Sequence, residues 1–560
     1  MLTKLRRRPY DLLDRLARAK ADPYFLALFR ITYALVGILV ALRTYEQAGY
    51  LWHPGSAAYK LGVYFLLPAI IALLLCILVG FGGRVAIALH FVALACLNFS
   101  FPIVGYLDFR FNQAGAFWLL FMRVNRVWSL DALIFRERVS REPAPSAWPV
   151  HFMGVSLGLW FLNAGFLKIV DPLWREGLGF YYVMLLPWIK PASLNFILDH
   201  PFVLTLFNYL AIVFETTFLL LYLFRWTRPI AILLGTFFFV NLIYPLRIDP
   251  IGQFGLTWLV ALLSVTHVPS KLRPALRRFL PRWPKLDAPA RETPARRMRL
   301  RKYFIVATAL YILYLSAVFH VRVMPYYLFK QGTLTFVDYP YALLEGPAEA
   351  ARREPKLVRG MKWALDSLYR PLDKLNRPLL FLNQYTTSMQ FNGLFGVDHV
   401  LGIYLYRVEL EMDDGSRVEP VPVFREDMTA GPYSAGVFTP RYLQGVMYDI
   451  SGICHRLAMK PGYTLTAGEV DVLKRVINSG LYPLDEARAR HVRRVVLKVR
   501  PIIVPDDYEG DVHTWERRGW TDFYVYEPST GQYKIENVPE QYPLHMPLKH
   551  FSNAWLVLSP

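Results

Sequence analysis

The sequence predicts a multi-pass α-helical membrane domain of about nine spans, followed by a mainly β extra-membrane domain. Three observations lead to this fold class. The 560 residues are 54% hydrophobic and only 19% charged, with a mean hydropathy of +0.27, whereas a soluble globular protein is about 25% charged. Long apolar runs fill the segment 24–320. Beyond position 400, polar and apolar residues alternate with the period of two that is typical of half-buried strands.

The composition also excludes several classes of protein. Intrinsic disorder is excluded because the apolar content is too high for a solvated chain. A disulfide scaffold is excluded because the chain has three cysteines in all. The twelve histidines show neither H-x-x-x-H nor H-E-x-x-H spacing, so we expect no metal site.

The net charge of +20 is distributed unevenly along the chain. Residues 321–560 carry 28 basic and 28 acidic side chains, so the whole excess lies in the segment 1–320. There it is concentrated in the clusters 4–20, 123–141 and 271–302, each next to an apolar run. Basic loops of this kind are typical of the cytoplasmic side of a membrane protein. We therefore expect no nucleic-acid partner and expect membrane lipid as a partner.

Crossing about 30 Å of hydrocarbon takes roughly 20 apolar residues in a helix. Nine stretches approach this length, of which the fourth and eighth are the weakest: 24–43, 62–80, 85–105, 109–127, 150–170, 201–224, 229–246, 251–267 and 303–320.

The basic loops also predict the orientation. With a cytoplasmic N-terminus, every strongly basic loop falls on one face, including 268–302 with 12 basic and two acidic residues. The interpretation divides the chain into a cytoplasmic amphipathic N-terminus (1–22), a transmembrane domain (23–320), a helical or irregular connector (321–390) and a β-rich non-cytoplasmic domain (391–560).

Local signals support the β-rich domain. Residues 404–412 alternate, and Asp413-Asp-Gly415-Ser then turns the chain into 417–421, which predicts a β-hairpin with Gly415 at a positive φ. Further strands are predicted at Val492–Val504 and Thr521–Glu527. One helix is marked by Thr466 as N-cap, Glu469 in a capping box and Gly480 as the stop.

Ionisable and polar groups inside spans are costly and are therefore the best functional pointers. We single out Lys168 near the outer end of span five, and Glu215 in the middle of span six. Four more residues are candidates for a pocket near the outer surface: Asp108, Asn112, Asn241 and Tyr244.

Each candidate also has a purely structural interpretation. Lys168 could extend its ammonium group to the outer interface, and Glu215 could be a neutral carboxylic acid that braces two helices. Asn241 and Tyr244 could make interhelical packing contacts. Arg30 is interpreted as an interface anchor, and His90 as an isolated histidine.

Several motifs resemble a known family. The segment Phe117-Trp-Leu-Leu-Phe-Met-Arg-Val-Asn-Arg-Val-Trp-Ser-Leu-Asp-Ala132 is similar to a span-end motif of the vitamin K-dependent γ-carboxylases and their bacterial relatives, the horizontally transferred transmembrane (HTTM) proteins. Ala164-Gly-Phe-Leu-Lys168, continuing through Asp171-Pro-Leu-Trp-Arg-Glu-Gly177 and Tyr181-Tyr, resembles the lysine segment of that family. Phe214-Glu215 and Thr227-Arg-Pro229 also look like its pattern.

The resemblance implies a site and its co-substrates. In the family, a lysine near the membrane surface deprotonates the hydroquinone of vitamin K, which drives carboxylation of a peptide glutamate with O2 and CO2. By resemblance, Lys168 takes the role of the base, and proton abstraction needs a neutral amine. Trp174, Glu215 and Asn241 are assigned with the other candidates to the quinol pocket, and no metal is implied.

The chain departs from the family's carboxylases in two places. Those enzymes have a histidine near the start of span four, where this chain has Tyr106-Leu-Asp-Phe-Arg-Phe-Asn-Gln113, and many relatives have a histidine where Asn241 stands. The resemblance therefore implies a quinol-type pocket but leaves carboxylation itself open.

Two functions remain under consideration. The first is quinol-linked carboxylation, or a related modification, of glutamate in a secreted peptide or protein, with reduced vitamin K or a related quinol as cofactor. The alternative is a non-catalytic membrane protein that binds lipid or quinone, or that assists export or maturation of a peptide. A bacterial inner membrane is the expected location.

Overall fold

The computed structural model describes residues 11–48, 57–100, 107–266 and 295–326, and then 404–425, 431, 442–481, 484, 489–501 and 519–539, apart from short gaps inside these ranges. Most of the predicted connector and of the basic loop 268–302 lies outside the described residues.

The longer helices of the described part as far as Tyr326 are α1 (Pro23–Glu46), α2 (Ala57–Val79), α3 (Gly83–Ser100), α4 (Leu107–Phe121), α5 (Trp148–Val170), α6 (Pro201–Leu223), α7 (Arg228–Ile243), α8 (Asp249–Leu263) and α9 (Ala295–Tyr326). Shorter helices occupy the connections, at Leu130–Ile134, Arg136–Ser140, Pro172–Arg175 and Gly179–Leu185, with a 3-10 turn at Ala192–Ile197.

Four of these helices, α1, α2, α5 and α6, are long and apolar enough to cross a membrane, and α3, α7 and α8 are apolar but shorter. The chain is therefore a helical membrane protein over its N-terminal part. The count of nine spans remains a prediction, because the other helices do not combine that length with that hydropathy among the described residues.

Local sequence explains the ends of the first two helices. The side chain of Asp22 accepts a hydrogen bond from the Tyr24 amide at 2.9 Å, and Pro23 occupies the first helical position, where its missing N–H costs nothing. Helix α2 ends at Val79 and is capped by Gly80, which has a φ of +71°. A side chain there would be strained and would also collide with Arg30, because an added Cβ would overlap one of the guanidinium nitrogens.

Arg30 corrects the interpretation of this residue as an interface anchor. Its side chain is fully buried and donates to the Val124 carbonyl (3.3 Å), to Asn125 Oδ1 (3.2 Å) and to the Trp128 carbonyl. Helix α4 ends at Phe121, earlier than the predicted residue 127. The carbonyls that would continue this helix are turned toward Arg30 instead.

The helices pack as pairs: α1 against α2 and α8, α5 against α6, and α7 against α8. Aromatic rings fill the space between α5, α6 and α7. The Phe161 ring centroid lies 4.9 Å from those of Phe214 and Phe218 and 5.2 Å from that of Phe238. These edge-to-face contacts favour one arrangement of the three helices.

The C-terminal part contains a five-stranded antiparallel sheet of order β2-β1-β3-β4-β5. Its strands are β1 (Tyr404–Met412), β2 (Arg417–Val418), β3 (Val492–Pro501), β4 (Thr521–Glu527) and β5 (Gln532–Ile535). The predicted hairpin is confirmed, with Gly415 at φ +79°. Strand β4 has the predicted bounds, and β3 ends at Pro501, three residues before the predicted end.

Two helices, α10 (Tyr442–Met459) and α11 (Ala467–Leu481), pack on this sheet. The predicted capping box of α11 is confirmed, since the Thr466 amide donates to Glu469 Oε2 at 2.8 Å and the Glu469 amide donates to Thr466 Oγ1 at 3.3 Å. The helix ends at Leu481, one residue after the predicted stop at Gly480. Gly480 lies in the last turn and packs on Val408 so closely that an added Cβ would overlap the valine side chain.

Candidate functional site

Helices α5 and α6 cross at glycines of α5, which brings their backbones into contact. A Cβ added at Gly158 would lie 3.0 Å from the Leu219 Cα atom, and one added at Gly165 would lie 3.0 Å from the Thr216 amide nitrogen. Small residues at such crossings let membrane helices approach closely. As a result, a lysine on α5 can reach a carboxylate on α6.

That contact is a buried ion pair. Lys168 Nζ lies 2.9 Å from Glu215 Oε1 and 2.7 Å from Oε2, and the two residues are only 6% and 2% exposed. Lys168 therefore does not extend to the interface, and Glu215 has a partner. A buried pair persists only with good geometry, because each charge loses its hydration.

An indole ring covers the ammonium group. Lys168 Nζ lies 4.9 Å from the ring centroid of Trp174, which is itself buried. The ring packs on Gly179, where an added Cβ would overlap the indole. Asn208 fixes this turn to α6, since its amide nitrogen donates to the Trp174 carbonyl (2.7 Å) and its Oδ1 accepts from the Phe180 amide (3.1 Å).

The ion pair forms part of the wall of a cavity of about 210 Å³ between α5, α6 and α7. Only four of the described lining residues are polar or charged: Lys168, Glu215, Thr217 and Asn241. The others are apolar or aromatic: Trp160, Ala164, Trp174, Phe180, Val183, Phe207, Leu210, Ala211, Val213, Phe214, Leu234, Phe237, Phe238, Leu242, Leu246 and Ile251.

Three phenylalanines at the cavity are stacked nearly parallel. The Phe180 and Phe207 centroids are 5.5 Å apart at 21°, and those of Phe207 and Phe237 are 6.3 Å apart at 11°. Flat aromatic walls of this kind fit a planar ring, and the lysine and carboxylate supply polar groups for an oxygen substituent.

The structure brings together some of the predicted site residues. Trp174, Glu215 and Asn241 line the cavity together with Lys168. Tyr244 is 62% exposed and is not among the lining residues. Asp108 belongs to the first turn of α4, and its side chain lies outside the described part.

Asn112 belongs to a different polar cluster. The Tyr33 hydroxyl donates to Asn112 Oδ1 at 2.5 Å and lies 3.2 Å from His90 Nε2. All three side chains are buried. The interpretation of His90 as isolated is therefore wrong. This hydrogen-bonded network links α1, α3 and α4.

Sequence reasoning missed two contributors to the site. Asn208 was hidden as a polar residue among the apolar residues of span six, where it orders the turn that carries Trp174. The glycine pattern Gly154-x-x-x-Gly158 is the second signal, because this spacing puts both residues on one helix face. Among the described residues, no group of three or more His, Cys, Asp or Glu side chains could hold a metal ion.

Comparison with known proteins gives one match. The family model of the HTTM domain matches residues 19–266, which include the ion pair and every described residue that lines the cavity. No curated protein and no solved structure matches the chain. The matched segment runs from the residues before α1 to just beyond the end of α8, and this part of the membrane protein is similar to an HTTM domain.

Proposed function

We propose that the HTTM domain binds the ring of a reduced quinone in the aromatic cavity and uses Lys168 as a base in quinol-linked modification of a peptide glutamate. The observation that carries the proposal is the Lys168–Glu215 pair on the wall of an otherwise apolar cavity. A base needs a ligand-accessible amine, and a quinol needs flat apolar walls and one polar end.

Glu215 supplies the means to make the amine neutral. Nζ and Oε2 are 2.7 Å apart, so a proton that moves between them converts an ion pair into an amine and a carboxylic acid. In apolar surroundings the neutral form avoids the cost of two buried charges. Lys168 can then accept a proton from a hydroxyl group in the cavity and becomes an ammonium group.

The surrounding residues would shield the reacting groups from water. Trp174 covers the ammonium group and stabilises its charge by cation–π attraction when the lysine is protonated. Asn208 keeps the covering turn on α6. Phe180, Phe207 and Phe237 would hold the ring, and Asn241 lines the same cavity.

When bound, the quinol would supply the reducing power that, with O2 and CO2, drives carboxylation or a related modification of glutamate. A secreted peptide or protein is the proposed substrate. The C-terminal sheet domain is the proposed place for holding it, on the non-cytoplasmic side of a bacterial inner membrane.

The test is a reconstituted assay. Purified full-length protein in liposomes is given reduced vitamin K, O2, labelled CO2 and a glutamate-rich peptide, and the label in the peptide is counted. Incorporation that requires the reduced quinone supports the proposal. Binding of the quinone, measured by quenching of tryptophan fluorescence, without any incorporation or epoxide formation would leave only a binding function.

A second candidate rests on a different aspect of the same pair. Both carboxylate oxygens of Glu215 contact the ammonium group of Lys168, which is also the geometry of a structural brace. In that case the HTTM domain is a non-catalytic protein that binds lipid or quinone, or that assists export or maturation of a peptide. The reconstituted assay distinguishes the two, since a non-catalytic protein leaves the peptide unlabelled and forms no epoxide even when quinone is bound.

A further inference from the structure

A second cavity, of about 710 Å³, lies away from the quinol site at the opposite ends of several helices. The turn between α2 and α3, the end of α4 and the two short helices after it form most of its wall. Five arginines line it: Arg84, Arg123, Arg126, Arg138 and Arg297.

Two of these arginines are held by backbone carbonyls. Arg123 Nη1 donates to the Pro143 carbonyl and Arg126 Nη1 to the Glu142 carbonyl, each at 2.8 Å. The other three have no hydrogen bond or ion pair to any residue in the described part of the chain. Their donors are therefore directed at solvent or at a ligand.

The acidic side chains of the cavity are too few to balance this charge. Asp131 uses both carboxylate oxygens within the wall, accepting from the Gly82 amide (3.1 Å) and from Asn125 Nδ2 (2.9 Å). Glu142 lies 3.8 Å from Arg123. Because five guanidinium groups face these two carboxylates, the cavity carries an excess of positive charge.

The wall is fixed before any ligand arrives. Arg30 holds the segment that carries Arg123 and Arg126 through the Val124 carbonyl and the Asn125 side chain. The Asp131 amide donates to the Gly80 carbonyl at 3.1 Å, which ties the short helix to the end of α2. Arg123 and Arg126, which are held in place by hydrogen bonds, therefore lose little side-chain entropy when an anion binds.

The position of the cavity along the helices indicates which anions can reach it. The apolar helix α2 ends and the apolar helix α3 begins at it, so it lies where their apolar surfaces give way to polar loops. Beside the arginines, Leu133 and Ile134 are 55% and 59% exposed. Exposed apolar residues next to basic ones are typical of helices that lie in the headgroup region of a membrane.

We propose that this arginine cavity binds a phosphate group, supplied by the headgroup of an anionic phospholipid. Guanidinium groups bind phosphate oxygens through paired, charge-assisted hydrogen bonds, and Arg84, Arg138 and Arg297 line the cavity as possible donors. The proposal is independent of the quinol site.

The test uses the full-length protein in detergent with three separate additions: phosphatidylglycerol, phosphatidylcholine and inorganic phosphate. Binding is measured by native mass spectrometry and by the shift in thermal unfolding. The cavity variant is Arg138→Gln/Arg297→Gln. Its matched control is Arg136→Gln/Arg299→Gln, which removes two charges from the same two helices at positions that do not line the cavity.

We expect phosphatidylglycerol to bind more tightly than phosphatidylcholine, and its affinity to fall about tenfold or more in the cavity variant, since one lost charge-assisted hydrogen bond already accounts for that factor. The control should lose much less, because it changes only the long-range field. Binding of inorganic phosphate with the same dependence on the cavity arginines also supports a phosphate site and identifies the soluble ion as its source.

Equal losses of affinity in the two double variants would overturn the proposal, because binding would then depend on net charge alone. No loss in either variant would also overturn it, because the lipid would then bind elsewhere. If the cavity variant elutes as an aggregate, the single variants Arg297→Gln and Arg299→Gln provide the same comparison. Both residues are exposed on α9, so neither change affects a packed interior.

Discussion

The protein contains two buried lysine–glutamate pairs with nearly the same geometry and different surroundings. Lys168 and Glu215 are 2.7 Å apart in the membrane domain, and Lys498 and Glu409 are 2.7 Å apart in the C-terminal sheet. The side chains are 7% and 3% exposed in the first pair and 8% and 9% exposed in the second. Distance and burial alone therefore do not distinguish the two sites.

The residues around each pair distinguish the two sites. Glu409 also contacts Arg407 at 2.6 Å, and Lys498 lies 3.4 Å from Asp522, so the sheet pair belongs to a network across β1, β3 and β4. In the described residues, Lys168 has no charged partner other than Glu215, and the pair faces a cavity. A networked pair loses several contacts if one proton moves, whereas a lone pair can exchange its proton at small cost.

The largest expected effect is on activity at Lys168. Lys168→Arg should lower quinol-dependent incorporation of CO2 by about 10²- to 10⁴-fold, the contribution of a general base, because guanidinium stays protonated at any working pH. The protein should still accumulate, since arginine can pair with Glu215. Lys498→Arg is the matched control, and this variant should incorporate CO2 at the wild-type rate. Near wild-type activity of Lys168→Arg would remove this lysine as the base.

The next effect is on accumulation of the protein. Glu215→Lys places two ammonium groups together in an apolar site and should cost about 3–5 kcal/mol, as breaking a buried pair does. Glu215→Gln should fold, because its side-chain oxygen still accepts from Lys168 and the amine can become neutral. The amount of monodisperse protein extracted from membranes measures both. Similar yields would mean that residue 215 faces water.

Replacing both partners by apolar residues sharpens the comparison. Lys168→Met/Glu215→Leu should be neutral or stabilising by about 1–4 kcal/mol, because no charge remains buried. Lys498→Met/Glu409→Leu should destabilise by about 1–3 kcal/mol, because Arg407 and Asp522 each lose an ion-pair contact. Thermal unfolding of the two full-length double variants gives the sign of each change, and the same sign in both would contradict the distinction drawn between them.

A smaller effect is expected at the crossing of α5 and α6. Gly158→Ala puts a methyl group against the Leu219 backbone and should cost about 1–3 kcal/mol, since the helices must separate. Gly468→Ala is the control, because nothing lies within 4 Å of an added Cβ there, and it should stabilise helix α11 by up to about 1 kcal/mol. Thermal unfolding measures both, and a neutral Gly158→Ala would show that the crossing tolerates separation.

The smallest effect on stability is expected at Ser416, in the exposed hairpin turn. Ser416→Cys should change stability by no more than about 0.5 kcal/mol and should react with an impermeant thiol reagent in intact cells if the sheet domain is non-cytoplasmic. Burial raises the pKa of the native Cys454 thiol, so this residue adds little background. Labelling that requires cell lysis would contradict the predicted orientation.

Local sequence signals predicted the elements that depend on local forces. The capping box of α11, the hairpin at Gly415 and strand β4 are each specified by a few consecutive residues. Helix α10 was not predicted, because Gly445 and Ser451-Gly452 interrupt its pattern with residues of low helix propensity. Its buried residues Met447, Ile450 and Cys454 nevertheless follow helical spacing and gain their stability from the sheet.

Apolar helices followed by a sheet could be predicted from the amino-acid pattern, as could the cost of burying Lys168 and Glu215 inside those helices. The pattern did not reveal that these two residues meet across 47 positions, that Asn112 joins Tyr33 instead, or that Arg30 is buried under the loop after α4. Hydropathy is a property of each segment, whereas the pairing of two charges depends on which helix faces touch. That choice depends on small residues such as Gly158 and Gly165 and on the residues that they contact on the neighbouring helix.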